Sequence, residues 1–408
     1  MLDLSFDRLP LDRTTGTDTR LTFLVGAAVL FFVLYRSIPL SLLISKATMQ
    51  RTPTLTVPVQ GREMTIDPSR LHKPNFGYDV TVSKLLIHPI KSCRGLSVTN
   101  ARYTPEGLEN DRLWSIVDAV TKSVITAREV SKMVLITPQI ETDDNSPYGG
   151  VLRVSFPEDS SCDSFDVPLH PSEEMLKTWQ SFDVAMWGSS IDSHVCEAIP
   201  LSSGPSKLPS AILSSYFEKP VHLVFKGRRP RNCAPTAAFP ELKATAVYQD
   251  GYPLLVLSEE SMNVLEDELR NQVGKQGVDE HWRTDRLMIE RFRPNIVFKG
   301  AGPFAEDMWE EIAIESGPVL DAPGILIVSK CVRCLLPNVS PDTGVRDKAV
   351  PYKVLMKVRT GIDPANKMKP CVGCNGVPLG EGVIRLGDKV VIRRMVGSVG
   401  NDVDTNSS

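Results

Sequence analysis

Thirty-one prolines, spread along the chain rather than gathered in one segment, bar long helices from being its main building material. Each proline fixes one backbone angle and removes one hydrogen-bond donor, so regular elements between them have to be short. The intervening residues agree. Runs rich in aliphatic and β-branched side chains occupy 79–92, 96–103, 113–118, 123–126, 134–140 and 151–156. Gly, Pro, Asn and Asp punctuate them at the spacing of an all-β sheet or barrel. Helical periodicity is confined to short stretches, 173–179, 210–217 and 258–270. In the last of these Ser258 is placed to cap, Glu259 and Glu260 to occupy the first turn, and Met262, Leu265 and Leu269 to share a buried face. Residues 272–283 read as a polar insertion, and Leu386-Gly387-Asp388-Lys389 as a hairpin turn. The expected fold class is mostly β (α+β), with helices at the periphery.

The N-terminal region is of another kind. Residues 1–20 form a polar tail with four Asp and three Arg, and Leu21 to Tyr35 then carry no charge. Arg36 interrupts before residues 37–44 resume the apolar character, so 21–44 is expected to be a single transmembrane anchor. Its upstream flank is too long and too acidic for a signal peptide. Arg36, Lys46, Arg51 and Arg62 follow the apolar stretch and orient the body toward the cytosol. A short, modestly apolar anchor suits the mitochondrial outer membrane, with the endoplasmic reticulum as the alternative. Residues 45–78 read as a linker, and the end of the chain from 397 to 408 as a frayed tail. A net charge of −3 argues against nucleic acid as a partner.

Residues 325–344, ILIVSKCVRCLLPNVSPDTG, concentrate the chemistry. A buried strand runs into Cys331 and Cys334, with Lys330 and Arg333 beside them, and cations so placed are expected to lower thiol pKa values toward thiolate. Cys331 and Cys334 together with Cys371 and Cys374 also have the pair spacing of a zinc site, although the gap between the pairs is long. A single thiolate would instead suit a sulfur-held metal such as molybdenum, whose pterin carries a phosphate that calls for Arg and Lys. Candidates for that task stand near strand ends: Lys91, Ser92, Arg112, Arg128, Arg293, Asn295 and Arg333. Asp342, in the turn that closes the stretch, is a candidate for proton delivery or simply a turn residue. KGRRPR at 226–231 is a basic run that could face an acidic partner.

HPIKSCRG (88–95), NDRLW (110–114), ITAR (125–128), RPNIV (293–297) and CVRCLLPNVSPDTG (331–344) stand in the order found in MOSC-domain proteins. The chain resembles that family over about residues 79–395, in particular its mitochondrial amidoxime-reducing component group. The resemblance implies a MOSC N-terminal β-barrel domain over 79–200 and a MOSC domain over 201–396. It implies a molybdenum cofactor (Mo-molybdopterin) whose metal is ligated by Cys334. Val332 and Arg333 would contact the pterin, Lys91, Ser92, Arg112, Arg293 and Asn295 would bind pterin or phosphate, and Arg128 lies in a matching motif. It further implies reduction of N-hydroxylated substrates (amidoximes, hydroxylamines) with electrons from cytochrome b5 and NADH-cytochrome b5 reductase. Other family members carry sulfur, and there Cys334 would hold a persulfide; a zinc-binding module through the two CxxC pairs is the remaining alternative. Gly251-Tyr252-Pro253, the insertion at 272–283 and the Cys371/Cys374 pair depart from the family pattern.

Overall fold

The computed structural model describes residues 79–196, 208–316 and 322–397. The polar tail, the anchor at 21–44, the linker to 78 and all but the first residue of the C-terminal tail lie outside the described residues. Among the described residues no helix is long and apolar enough to cross a membrane.

Seven strands close into a barrel: β1 (Thr81–Ile87), β2 (Leu254–Ser258), β3 (Ile296–Lys299), β4 (Trp309–Glu315), β5 (Gly324–Val332), β6 (Cys371–Pro378) and β7 (Lys389–Met395). Their order around it is β3-β2-β6-β5-β4-β7-β1, and β1 returns to β3. Closure removes the unpaired edges that an open sheet would expose. Leu85 faces Ile296 across the β1–β3 seam, and Ile312 faces Ile325 between β4 and β5. Leu85, Val256, Ile296, Phe298, Ile312 and Ile325 belong to one buried cluster. β2 and β3 are the parallel neighbours, with Val256 opposite Ile296. Parallel neighbours need a long crossover, here carried by a helix.

Among the described residues there are four α-helices, anticipated in part by periodicity. They are α1 (Glu173–Thr178), α2 (Pro209–Phe217), α3 (Glu260–Gln272) and α4 (Tyr352–Val358). In α1 the Ser172 hydroxyl accepts from Met175 N at 3.2 Å, which satisfies one of the first-turn donors. In α3 the face of Met262, Leu265 and Leu269 is buried as expected. Ser258 does not cap it. That residue is the last of β2, and its hydroxyl is spent on the Glu306 carboxylate. Two further expectations are corrected. The 272–283 stretch is not simply a polar insertion, because Val278 and Trp282 fold back into the core beside α3. The turn at 386–389 joins no hairpin: the strand Gly382–Arg385 pairs with Asn100–Thr104, whereas β7 pairs with β4 and β1.

Residues 100–226 supply smaller sheets on one side. Trp114–Asp118 pairs with Val221–Lys226, which pairs with Ser189–Val195 and through it with Ser181–Met186. Trp114, Met133, Ile136, Leu152, Val167 and Leu223 fill a second core there. The 134–140 run is divided between a 3-10 turn (Ser131–Leu135) and a strand (Thr137–Thr142). The stretch 123–126 makes only isolated bridges, through Ser123 and Val124.

Candidate functional site

Where β1 and β5 end and β2 and β3 begin, the adjoining loops enclose a cavity of about 770 Å3. Lys91, Ser92, Arg112, Arg128, Arg293, Asn295, Val332, Arg333 and Cys334 all line it. Strand ends are where short loops can be aimed without disturbing the core.

Three of those loops turn on residues with left-handed backbone: Ser92 (φ 68°), Arg112 (φ 56°) and Arg293 (φ 56°). Such angles are uncommon outside glycine and are held only by surrounding structure. The restraints are visible. Arg112 N donates to His88 O at 2.9 Å, and Lys91 N to Trp114 O at 2.9 Å. Arg293 ends the 3-10 turn Ile289–Phe292.

The cations have distinct occupations. Lys91 is buried; its ammonium donates to Tyr248 O (2.7 Å) and Asp250 Oδ1 (2.5 Å). Burial lowers its pKa from the usual lysine value, against the pull of Asp250. The Arg112 guanidinium donates to Asp111 Oδ2 (2.5 Å), Asn295 Oδ1 (3.3 Å) and Arg293 O (3.2 Å). Burial would push the Asp111 carboxyl up, but Arg112 and His88 together hold it at about 2. Arg128 stacks on the exposed Trp187 ring at 4.1 Å, and Trp187 Nε1 donates to Asp250 Oδ1 at 3.3 Å. Arg293 Nη1 donates to Cys93 O at 2.6 Å, while its Nη2 is buried with no partner. Burial, with Arg112 second, brings its pKa down to about 10.

Asn295 and Arg333 are braces within the cavity wall. Asn295 Nδ2 donates to Leu86 O (3.2 Å), and its Oδ1 accepts from Leu255 N (3.1 Å), so it ties β1 to β2 while orienting Arg112. Arg333 donates from Nε and Nη2 to Val372 O (2.9 and 2.6 Å) and from Nη1 to Phe292 O (3.0 Å). Lys330 is likewise spent, on Asp307 O. The expected depression of the thiols therefore fails at Cys331: burial pushes its thiol up, with Arg333 opposing. Burial also pushes Cys371 to about 11 and Cys374 well above the usual thiol value.

The four cysteines do not assemble into one tetrahedral set. Among the described residues no group of three or more His, Cys, Asp or Glu is arranged to hold a metal ion. Cys374 Sγ turns instead toward Glu306 O at 3.3 Å. Asp342 lies outside the large cavity: it is an exposed turn residue, 3.9 Å from Arg94. The cations of the basic run each have an acidic or carbonyl partner within the chain, with Arg228 and Arg229 remaining exposed. Lys226 pairs with Asp192 (2.9 Å), Arg228 with Glu173, and Arg229 with Asp183 (2.6 Å). Arg231 donates to Val247 O and Gln249 O (both 2.7 Å) and braces the wall beside Asp250.

Sequence reasoning missed Asp250, Arg291 and the loops at 235–238 and 363–366, all of which line the cavity. The turn residues Asp250-Gly251 and Asp363-Pro364 were the available signal. Trp187 left none, since an isolated aromatic reads as core.

The donor set suits a large anionic, sulfur-held group. A thiol, several cations and one open guanidinium N–H face a single cavity with room for a bicyclic cofactor.

Comparison with known proteins places residues 79–199 in the MOSC N-terminal beta barrel domain family and residues 244–391 in the MOSC domain family. The chain is 32% identical over 322 residues to mitochondrial amidoxime-reducing component 1 of Mus musculus, covering 76% of this chain and 82% of that one. It is 30% identical over 320 residues to mitochondrial amidoxime reducing component 2 of Homo sapiens, with the same coverage. It is also 28% identical over 297 residues to the molybdenum cofactor sulfurase of Danio rerio, covering 70% of this chain and 31% of that protein.

Proposed function

Because the chain belongs to the MOSC-domain family that includes the mitochondrial amidoxime-reducing components, we propose that it is a molybdenum-cofactor-dependent reductase of N-hydroxylated compounds. The observation that carries this reading is the convergence of Cys334, Lys91, Ser92, Arg112 and Arg293 on one cavity, with the Arg293 Nη2 buried and unanswered. When bound, the cofactor would supply a redox-active metal able to exchange electrons and accept oxygen.

The protein's own groups then divide the work. Cys334 is the metal ligand. Arg293, Arg112, Lys91 and Ser92 hold the anionic pterin tail, and charge-assisted hydrogen bonds make this the strongest part of the grip. Asn295 fixes the Arg112 side chain, and Arg333, by clamping Val372 O and Phe292 O, holds the start of the Cys334 loop against β6. Arg128 and Trp187 stand at the rim, where substrate enters. An amidoxime reduced to an amidine takes two electrons and two protons and releases water. Cytochrome b5, recharged by its NADH-dependent reductase, is the electron source in this reading. Residues 21–44 would hold the protein on the mitochondrial outer membrane; the names of the relatives support a mitochondrial location.

Benzamidoxime reduction tests the ligand assignment. Cys334→Ser is expected to abolish it and Cys331→Ser to leave most of it; equal loss in both would contradict the role of Cys334. The sulfurase relative supports a second reading, a persulfide on Cys334 in place of a metal. Purified protein that carries sulfane sulfur and no molybdenum would favour it.

A further inference from the structure

Beside the large cavity lies a recess of about 170 Å3, which shares Arg291, Arg293 and Leu336 with it. Three arginines of its lining each carry a buried N–H without a hydrogen-bond partner, Arg94 Nε, Arg291 Nε and Arg293 Nη2, while His88 Nδ1 faces Asp111 Oδ1 at 3.6 Å. The three guanidiniums are used in the same way. Arg94 spends Nη2 on Pro341 O (2.6 Å), and Arg291 spends Nη1 on Pro337 O (3.2 Å) and Asn338 O (3.4 Å). Arg293 spends Nη1 on Cys93 O, and in each of the three another N–H is left over. Arginine N–H groups can only donate, so whatever completes them has to accept.

The local acids do not supply that acceptor. The Glu290 carboxylate is taken by Lys84 at 2.5 Å, and Asp342 reaches only the Arg94 Nη1, at 3.9 Å. The floor is packed closely: a Cβ on Gly95 would meet the His88 ring at 2.6 Å. At ~30 Å3 per water, the recess has room for a few heavy atoms but not for a pterin. Water would satisfy the donors without balancing the charge, whereas an oxyanion does both.

We propose that this recess is a binding site for a free oxyanion of phosphate size, held in addition to whatever fills the large cavity. Its lining includes Leu336, Val339, Pro341 and Asp342, from the loop that immediately follows Cys334. An anion there cross-links Arg94 and Arg291, which already hold that loop by its carbonyls, and so stiffens the segment carrying the thiol. The recess has donors of its own in Arg94 Nε and Arg291 Nε, which the proposed cofactor grip does not use; Arg293 is shared by the two cavities.

The test is titration of the cofactor-loaded full chain with inorganic phosphate, by calorimetry and by thermal unfolding, against chloride at matched ionic strength. Phosphate is expected to bind and to raise Tm where chloride does not. Arg94→Gln, which leaves the large cavity's lining intact, is expected to weaken binding ~10-fold or more with molybdenum content unchanged. Met288→Trp, which enlarges a partly exposed side chain at the rim, is expected to block it without removing charge. The proposal is overturned if loaded protein shows no phosphate effect beyond that of chloride, or if both variants bind as wild type does. Binding to cofactor-free protein alone would assign the recess to the cofactor's own phosphate and overturn it equally.

Discussion

Asn295 shows how much one side chain can organise here. It is almost fully buried and joins Leu86 of β1, Leu255 of β2 and the Arg112 guanidinium. Asn295→Ala leaves a buried carbonyl and a buried amide without partners, so a loss of ~2–4 kcal/mol is expected in urea unfolding. A loss below about 0.5 kcal/mol would mean that the site tolerates those groups unpaired. The motifs that made this cavity legible did so because its polar residues stand at strand ends beside turn residues, a pattern that sequence displays. The left-handed backbone at Ser92, Arg112 and Arg293 was not legible, since no glycine marks it. The thiol prediction failed for a physical reason. At Cys331 burial outweighs the nearby cations: Lys330 is spent on Asp307 O and the Arg333 guanidinium on Val372 O, and Arg333 opposes the rise without reversing it.

Between elements, the junction of β2 with the turn before β4 holds a buried acid. Glu306 accepts from Ser258 on one oxygen and has no partner on the other. Burial, then Asp307, pushes its carboxyl up to about 7. An unfolded glutamate titrates near about 4.3, so the folded chain keeps a proton that the unfolded chain has lost. The stability this contributes is full below about pH 4 and is lost as pH rises through about 7. Glu306→Gln should remove that dependence. Relative to the variant, wild-type stability is expected to fall by ~1–3 kcal/mol between about pH 5 and 8 in urea unfolding. Parallel curves would show that Glu306 is already ionised in the folded protein. The same junction explains a misreading of sequence: Ser258 has the right spacing to cap α3 but is drawn into β2 by a buried partner. Tertiary context likewise splits the strands at 386–389 between two sheets, because β7 is claimed by β4 and β1.

For the molecule as a whole, the barrel is closed by β1, the first described strand, against β3 and β7 from much later in the chain. A mostly β class was legible from short runs and turn residues, and the barrel only from the family resemblance; the long-range closure was not legible, because pattern reports what a strand is and not what it pairs with. The basic run at 226–231 teaches the same lesson about surfaces, since its partners Asp183, Asp192 and Glu173 come from other elements. The membrane topology proposed from residues 21–44 belongs to this scale too. Protease added to intact mitochondria should remove the body, and full protection would exclude a cytosolic orientation. The account rests most heavily on what the large cavity holds, and elemental analysis of the purified full chain, with pterin measured after oxidation, tests that directly. Near one molybdenum and one pterin per chain is predicted for the wild type, the same for Cys371→Ser/Cys374→Ser, and loss of the metal in Cys334→Ser. Wild-type protein without molybdenum or pterin, or Cys334→Ser with its metal undiminished, would contradict it.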